Sequence, residues 1–253
     1  MANKIVILIG NWLYNNMYIL YKPLYFLFKY YTDRNEIALL KSVVKPGITI
    51  LDIGANIGFY TTIFSKAVGP KGQVSSFEPD ITNYHHLREN TKGLSNVQIH
   101  HKAVASETQN ILLYTSKEIN VDHRTYKHEK FDQKIEITAI SLDEFVKNNE
   151  GIDVIKIDIQ GFEMQAMKGM THILKNNHNI RIFSEFWPYG LKMAGSSVLE
   201  YYEHLTNLGF LVYMFTAKGL IPLNIEAVQG MILLDKNHYF NIYATRHVDE
   251  ISF

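Results

Sequence analysis

The sequence predicts an α/β protein built on a mostly parallel sheet with helices on both faces. From Ile48 onward, short apolar runs alternate with segments of helical periodicity. A glycine-containing turn, Asp52 to Gly58, follows the first of these runs and opens a helix, and an acid, Glu78, closes the second run. The 253 residues are 47% hydrophobic and 20% charged, the balance of a chain that buries a sizeable core.

The elements follow in order. Thr49 to Ile53 reads as a buried strand, Gly58 to Ala67 as a helix, and Gly69-Pro70-Lys71-Gly72 as the turn into a strand over Gln73 to Phe77. Asp80 or Thr82 caps a helix running to about Thr91. Asn96 to His101 is a third strand, and Asn110 to Thr115 with Lys134 to Ile140 form a hairpin around a polar loop, Ser116 to Gln133. That loop is the one long connection, which makes it a candidate lid or recognition segment. Ser141 and Glu144 have capping-box spacing for a helix ending by Gly151. Strands over Ile152 to Ile157 and Ile180 to Phe186 then alternate with helices over Phe162 to Leu174 and Val198 to Leu208, and Phe210 to Phe215 and Met231 to Asp235 are the last strands.

Charge and composition exclude several function classes. The 25 basic residues balance 25 acidic ones without a Lys/Arg cluster, so no nucleic-acid partner is expected. The absence of Cys removes disulfide scaffolds, thiolate zinc sites and a Cys nucleophile, and it fits a reducing compartment, so the cytoplasm is the expected location. The aromatic stretch Ile5 to Tyr31 is interrupted by Asn11, Asn15, Asn16, Lys22, Pro23 and Lys29 before about 18 apolar residues accumulate, so no stable membrane insertion is expected. Ile5 to Ile9 is too poorly followed by a small-x-small site to be a secretion signal. Residues 1–32 are expected to form an aromatic-rich helical extension that covers the core or a homodimer partner, with a membrane-surface foot as the alternative, and residues 33–253 to form the α/β domain.

The turn after the first strand carries the chemistry. Gly54 and Gly58 lack Cβ atoms, so the backbone can turn sharply and bring N–H groups toward a ligand carboxylate at a helix N-terminus. Asp52 adds a negative charge suited to a methionine ammonium or a sulfonium and hostile to a pyrophosphate. The middle glycine of the dinucleotide motif is replaced by Asn56, and the phosphate loop of nucleotide hydrolases is absent. Glu78 lies 20 residues beyond Gly58 (78 minus 58), where a carboxylate can accept hydrogen bonds from both hydroxyls of a ribose.

The sequence resembles the FkbM-type methyltransferases. The resemblance is carried by Leu51 to Tyr60, Phe77-Glu78-Pro79, Asn96-Val97 with Ala103-Val104, Ile140 to Phe145, and Ile155-Lys156-Ile157-Asp158-Ile159-Gln160-Gly161-Phe162-Glu163, covering about Asp33 to Pro188. It implies a class I methyltransferase sheet of seven strands, whose last strands include an antiparallel pair, and S-adenosyl-L-methionine as cofactor, with S-adenosyl-L-homocysteine as product. Asp52, Gly54, Asn56, Gly58, Phe59, Glu78, Pro79, Ala103 and Asp158 are then the cofactor-binding residues. Members methylate hydroxyls of sugars and natural products, and some relatives are thought to act on amide nitrogens, so a small-molecule, glycan or peptide acceptor is implied.

An acceptor hydroxyl must lose its proton near the transition state. Candidates stand at strand ends and in the polar loop: Asp158, Glu185, and His123, which Asp122 or another carboxylate could orient. Glu163 sits in a first helical turn, where an acid also stabilises the helix dipole. Lys156, inside an apolar strand, calls for a partner, with Asp158 or Glu185 in reach. Trp187 and Tyr189 offer rings for stacking on an acceptor. The pairs His85-His86 and His100-His101 point their side chains apart, so no metal is expected there. Rival readings are a nicotinamide-dependent oxidoreductase, a non-catalytic binding module, and a nucleic-acid methyltransferase, whose Asn/Asp-Pro-Pro-aromatic block is missing.

Overall fold

The computed structural model describes residues 4–116, 123–127, 131–146, 151–216, 219–231 and 238–247. Two helices, α1 (Lys4–Asn16) and α2 (Tyr18–Thr32), precede α3 (Arg34–Val43). Next come β1 (Thr49–Ile53), α4 (Phe59–Val68), β2 (Gln73–Phe77), α5 (Ile81–Asn90) and β3 (Val97–His100). A small mixed region, β4 (Ala103–Val104), β5 (Gln109–Thr115) and β6 (Gln133–Ile140), is followed by the short α6 (Leu142–Phe145). The chain continues through β7 (Val154–Ile157), α7 (Glu163–Lys168), α8 (Thr171–Asn176), β8 (Arg181–Phe186), α9 (Pro188–Met193) and α10 (Val198–Asn207). It closes with β9 (Leu211–Thr216), β10 (Gly219–Pro222), α11 (Ile225–Met231) and β11 (Phe240–Thr245).

The main sheet runs β10-β9-β11-β8-β7-β1-β2-β3. From β8 to β3 every pairing is parallel, and β11 is antiparallel to both β8 and β9. The sheet holds the seven strands expected with an antiparallel member among the last, and β10 is added as an eighth strand on the edge. The predicted hairpin forms, but β5 and β6 build a separate three-stranded sheet with β4. One core layer packs Leu51, Ile155 and Ile182 against Met167 and Leu174, and the opposite layer packs Ile50, Val154 and Phe183 against Phe64 and Leu40. Successive strand residues thus bury alternate faces, as a sheet covered on both sides requires.

Several local expectations are corrected. The antiparallel partner of β9 is Phe240–Thr245, whereas Met231 ends a helix and residues 232–237 lie outside the described residues. β11 is hidden in the sequence by Asn241, a polar residue that serves the cavity described below.

The capping box at Ser141 does not close. Its hydroxyl donates to the Gly169 carbonyl at 2.9 Å, and Glu144 accepts from the Thr108 hydroxyl instead. The Asp143 N–H also donates to Gly169 O, at 2.8 Å, and the Asp143 carboxylate accepts from the backbone of His172 and Ile173. These bonds to α6 divide the helix expected over Phe162 to Leu174 into α7 and α8 and cap the second piece from outside. Asp80 caps α5 as expected, accepting from Thr82 N and Asn83 N at 2.9 Å each.

The first two helices lie on the α/β unit through aromatic side chains. The Tyr14 hydroxyl donates to Asn83 Oδ1 at 2.6 Å, and the Tyr18 ring stacks on His86 with centroids 3.5 Å apart. The Asn90 amide donates to both Tyr18 Oη and Ile57 O, fastening α2 to the loop after β1.

Candidate active site

A cavity of about 520 Å³ opens at the carboxyl ends of β1, β2, β7 and β8, where open α/β sheets bind ligands. Its wall takes in Asp52, Gly54, Asn56, Phe59, Glu78 and Pro79, together with Ala103, His123, Asp158 and Glu185. The sequence-predicted residues are therefore brought together, with one exception. Gly58 caps α4 with φ 88° and faces α5, where a Cβ would meet Leu87 Cδ1 at 2.8 Å. Its service is to helix packing and turn geometry rather than to the cavity wall.

The turn after β1 differs from its expected use. The N–H groups of Gly54 and Ala55 both donate to Phe77 O, that of Asn56 to Glu78 Oε2, that of Ile57 to Asn56 Oδ1, and that of Gly58 to Ala55 O. All five are satisfied inside the protein, so they are not held open for a ligand carboxylate. Asn56 adopts φ 50°, the left-handed conformation that Asn tolerates better than most residues. Gly54, at φ 82°, is required for a different reason: a Cβ there would lie 2.0 Å from the backbone oxygen of Asp158. The glycine lets the β1 and β7 loops touch.

The acids of this half are poised for a ligand. Asp52 is fully buried and accepts from the Thr61 hydroxyl at 2.6 Å through Oδ2, while Oδ1 has no protein partner. Burial raises its pKa, opposed by the charge of Lys156 and by the Thr61 bond. A buried carboxylate oxygen left without a donor on a cavity wall fits an ammonium or sulfonium group. Glu78 accepts from Asn56 N and Asp80 N, at 2.8 and 2.9 Å, and is also hydrogen-bonded by the Asn83 side chain, and it lines the cavity where a ribose hydroxyl fits. Burial pushes its carboxyl up to about 8. These residues match an S-adenosylmethionine nucleoside and amino group.

The other half is a partly buried polar network above the buried Lys156. The Gln160 amide donates to Asp158 Oδ1 and to Glu185 Oε2, both at 3.2 Å. Gln160 takes φ 56°, and its carbonyl accepts from Tyr126 Oη at 3.2 Å, so the side chain is aimed by its backbone. Burial raises the Glu185 pKa well above the ordinary carboxylate range, reinforced by the charges of Asp158 and Glu163. Lys156 finds the partner its burial demands in Asp158, 3.5 Å away, and its ammonium lies over the Tyr60 ring at 4.4 Å. Burial alone would depress that ammonium, but Asp158, Asp52 and Glu36 outweigh it and raise its pKa.

Asp158 is not a helix cap, since Phe162 holds that position in α7. Glu163 shapes the loop: its Oε1 accepts from Ile159 N and Gly161 N at 3.1 Å each, and burial lifts its carboxyl to about 7.

His123 lines the cavity beside Asp80, at the Glu78 end. Its Nδ1 accepts from Ser116 N at 3.3 Å, and its Nε2 lies 3.8 Å from Asp80 Oδ2, next to Glu78. Asp122, expected to orient it, lies outside the described residues. Trp187 lines the cavity with Arg124 over its ring at 4.6 Å, whereas Tyr189 sits behind it, ring centroids 5.9 Å apart. His86 is stacked on Tyr18, and His100 lies between Phe77 and Phe145. Among the described residues, no group of three acidic or imidazole side chains converges on a possible metal position.

Several wall residues escaped the sequence. Tyr25, Phe28 and Lys29 come from α2, Asp33 and Glu36 from the start of α3, and Asn241 from β11. Lys29 pairs with Asp33, which also accepts from Tyr60 Oη at 2.7 Å, and Asn241 donates to the buried Glu36. The signal was a polar or charged residue on an apolar face: Glu36 beside Ile37, Leu39 and Leu40, and Asn241 within a mostly apolar strand.

Comparison with known proteins agrees with this geometry. The Methyltransferase FkbM domain model matches residues 52–212. Hexuronic acid methyltransferase AglP of Haloferax volcanii is 27% identical over 148 residues, covering 57% of this chain and 59% of that protein. Methyltransferase 1 of Beauveria bassiana is 22% identical over 144 residues, covering 48% of this chain and 57% of that protein. The match thus spans less than two thirds of the length of either curated relative. The crystal structure of methyltransferase FkbM from Methylobacillus flagellatus KT superposes with a TM-score of 0.50 at 16% identity, covering 78% of this chain and 43% of the other, and so shares the fold. With the family model spanning more than half of its length, this chain belongs to the FkbM methyltransferase domain family.

Proposed function

We propose that this protein transfers the methyl group of S-adenosyl-L-methionine to a hydroxyl of a sugar or related polyhydroxylated acceptor. The observation that carries the reading is Asp52 Oδ1, a buried, unpartnered carboxylate oxygen on a cavity that also holds Glu78 at the end of the adjacent strand. Asp52 would hold the cationic amino-acid end of the cofactor and Glu78 its ribose. Bound there, the cofactor supplies an electrophilic methyl group on a positively charged sulfur.

The chain's own residues would do the rest. Asp158 and Glu185, fixed by the Gln160 amide, bind and orient the acceptor hydroxyl. As the oxygen–carbon bond forms and the sulfur–carbon bond breaks, the hydroxyl proton passes to Glu185. Burial and the neighbouring Asp158 charge raise its proton affinity, which makes the ionised carboxylate a stronger proton acceptor than an ordinary one. His123 is disfavoured as the base because Nδ1 already accepts a backbone N–H and the ring lies beside Asp80.

A sugar acceptor is favoured by the carboxylate and amide lining and by the rings of Trp187, Tyr25 and Tyr60 on the same wall. The similarity to a hexuronic acid methyltransferase supports the same class. Methylation of an amide nitrogen would use the same cofactor half and would likewise pass its N–H proton to the carboxylate pair, so the choice of a sugar rests on the lining and on the acceptor trial. A nicotinamide dinucleotide would bring its pyrophosphate against Asp52, with no N–H of the 54–58 turn left to receive it.

Calorimetry with S-adenosylhomocysteine and NAD separates the cofactors. Turnover on a panel of monosaccharides, uronic acids and peptide amides then separates the acceptors. Binding of NAD but not S-adenosylhomocysteine would overturn the reading, as would cofactor binding without turnover on any hydroxyl acceptor.

A further inference from the structure

The first two helices have two faces with different duties. Inward, α2 walls the cavity with Tyr25, Phe28 and Lys29. Outward, 12 of the 20 exposed large hydrophobic side chains among the described residues fall between Val6 and Tyr31. Leu8, Trp12, Ile19, Leu24, Leu27 and Tyr31 are each more than half exposed, up to 88% for Ile19. Apolar surface concentrated in this way marks a partner rather than ordinary surface scatter.

Charge and length identify the partner. Residues 1–32 contain Lys4, Lys22 and Lys29 and no Asp or Glu, and Arg34 follows with its guanidinium over the Tyr31 ring at 5.3 Å. Lys29 is matched by Asp33, but Lys4, Lys22 and Arg34 leave the segment cationic. A second copy docking by the same face would set these cations against their own kind, whereas an anionic lipid surface complements them. Helices of 13 and 15 residues reach about 20 Å, short of the ~30 Å of a hydrocarbon core. Among the described residues no helix is long and apolar enough to cross a membrane. The geometry is that of helices lying in the interface, with Trp and Tyr at headgroup depth.

We propose that the outer face of α1 and α2 docks on an anionic lipid surface and holds the mouth of the cavity against it. Phe28 joins the two features, being 52% exposed and part of the cavity wall at once. An acceptor carried on a lipid anchor would reach the carboxylate pair along that edge. This consequence rests on the methyl-transfer reading, whereas the docking itself does not.

The test uses the full chain without cofactor. Trp12 is 56% exposed on the outer face, and the other tryptophan, Trp187, is buried in the cavity wall. Vesicles of phosphatidylcholine containing about 30% phosphatidylglycerol should co-sediment the protein and blue-shift its fluorescence, and brominated acyl chains should quench it. Trp12→Phe should remove the lipid-dependent signal. Ile19→Glu with Leu27→Glu, both outside the cavity, should weaken vesicle binding about tenfold or more while S-adenosylhomocysteine affinity and circular dichroism stay unchanged.

Equal binding to purely zwitterionic vesicles would overturn the anionic assignment. No binding of the wild-type chain, or no quenching by brominated lipid, would overturn the docking outright, whether or not the double variant folds. A dimer in light scattering that Ile19→Glu with Leu27→Glu converts to monomer, without vesicle binding, would assign the face to a second copy. Because none of these readouts involves methyl transfer, failure here leaves the proposed activity standing, and the reverse holds too.

Discussion

Asp158 and Glu185 share a single amide: the side chain of Gln160 donates to one oxygen of each at 3.2 Å, holding two carboxylates of neighbouring strands over one cavity. The Glu185 carboxyl is pushed upward by burial and by the like charge of Asp158 beside it. The lysine beneath them, Lys156, limits that effect and pairs with Asp158.

Glu185→Gln and Asp158→Asn should each lower kcat by about 10²-fold or more, the usual worth of a positioned proton acceptor. S-adenosylhomocysteine affinity should stay within about threefold for Glu185→Gln. Steady-state kinetics with calorimetry reads both quantities. Turnover near wild type in Glu185→Gln would remove it from the reaction.

Asp52→Asn should weaken S-adenosylmethionine binding by about 10²-fold, the order lost when a charge-assisted bond becomes a neutral one in a buried site. The Thr61 bond can persist to the remaining amide oxygen, so thermal stability should change little. Unaltered affinity by titration calorimetry would show that the free Asp52 oxygen does not meet a cation.

The pH dependence has a definite sign. Glu78 is held protonated up to about 8 and Glu163 up to about 7 in the folded chain, against a reference value of 4.5 for each. Between 4.5 and those values the folded state binds more protons than the unfolded state, so the stability these groups contribute falls as pH rises. The ligand-free melting temperature should therefore fall through that window. A carboxylate that accepts from two ribose hydroxyls must be ionised, so S-adenosylhomocysteine affinity should rise toward pH 8 with release of a proton. Calorimetry in buffers of different ionisation enthalpy measures that proton, and Glu78→Gln should abolish its release.

Gly54→Ala should destabilise the protein by on the order of 2–4 kcal/mol. The added methyl needs the space of the Asp158 carbonyl oxygen, 2.0 Å from its ideal position, and the backbone is at φ 82°. Chemical denaturation measures the loss, and separation of the β1 and β7 loops should lower cofactor affinity in parallel.

His123→Ala should leave turnover at saturating cofactor within about threefold, below the effect of losing a general base. It should weaken nucleoside binding instead, because the ring packs beside Asp80 at the Glu78 end of the cavity. A large loss of kcat with unchanged KM for the cofactor would return His123 to the role of base.

The sequence by itself determined the parallel strands β1, β2, β3, β7 and β8 and the turn after the first of them. Strand periodicity, Asp52, Gly54 and Glu78 are local in the chain, and their spacing follows from one strand–turn–helix unit and its neighbour. The Lys156 to Glu163 block was legible in the same way, though Glu163 serves the loop's own N–H groups.

Tertiary structure decided which N–H groups were already occupied, why Gly54 must be glycine, and which residues complete the opposite wall. Phe77 O and Glu78 fill the turn's donors from the adjacent strand, and Lys29, Glu36 and Asn241 arrive from the two ends of the chain. No periodicity links residues so far apart. Only the packing of α2, α3 and β11 against the ends of β7 and β8 sets their charges around one space, because a buried charge acquires its meaning from the partner the fold supplies.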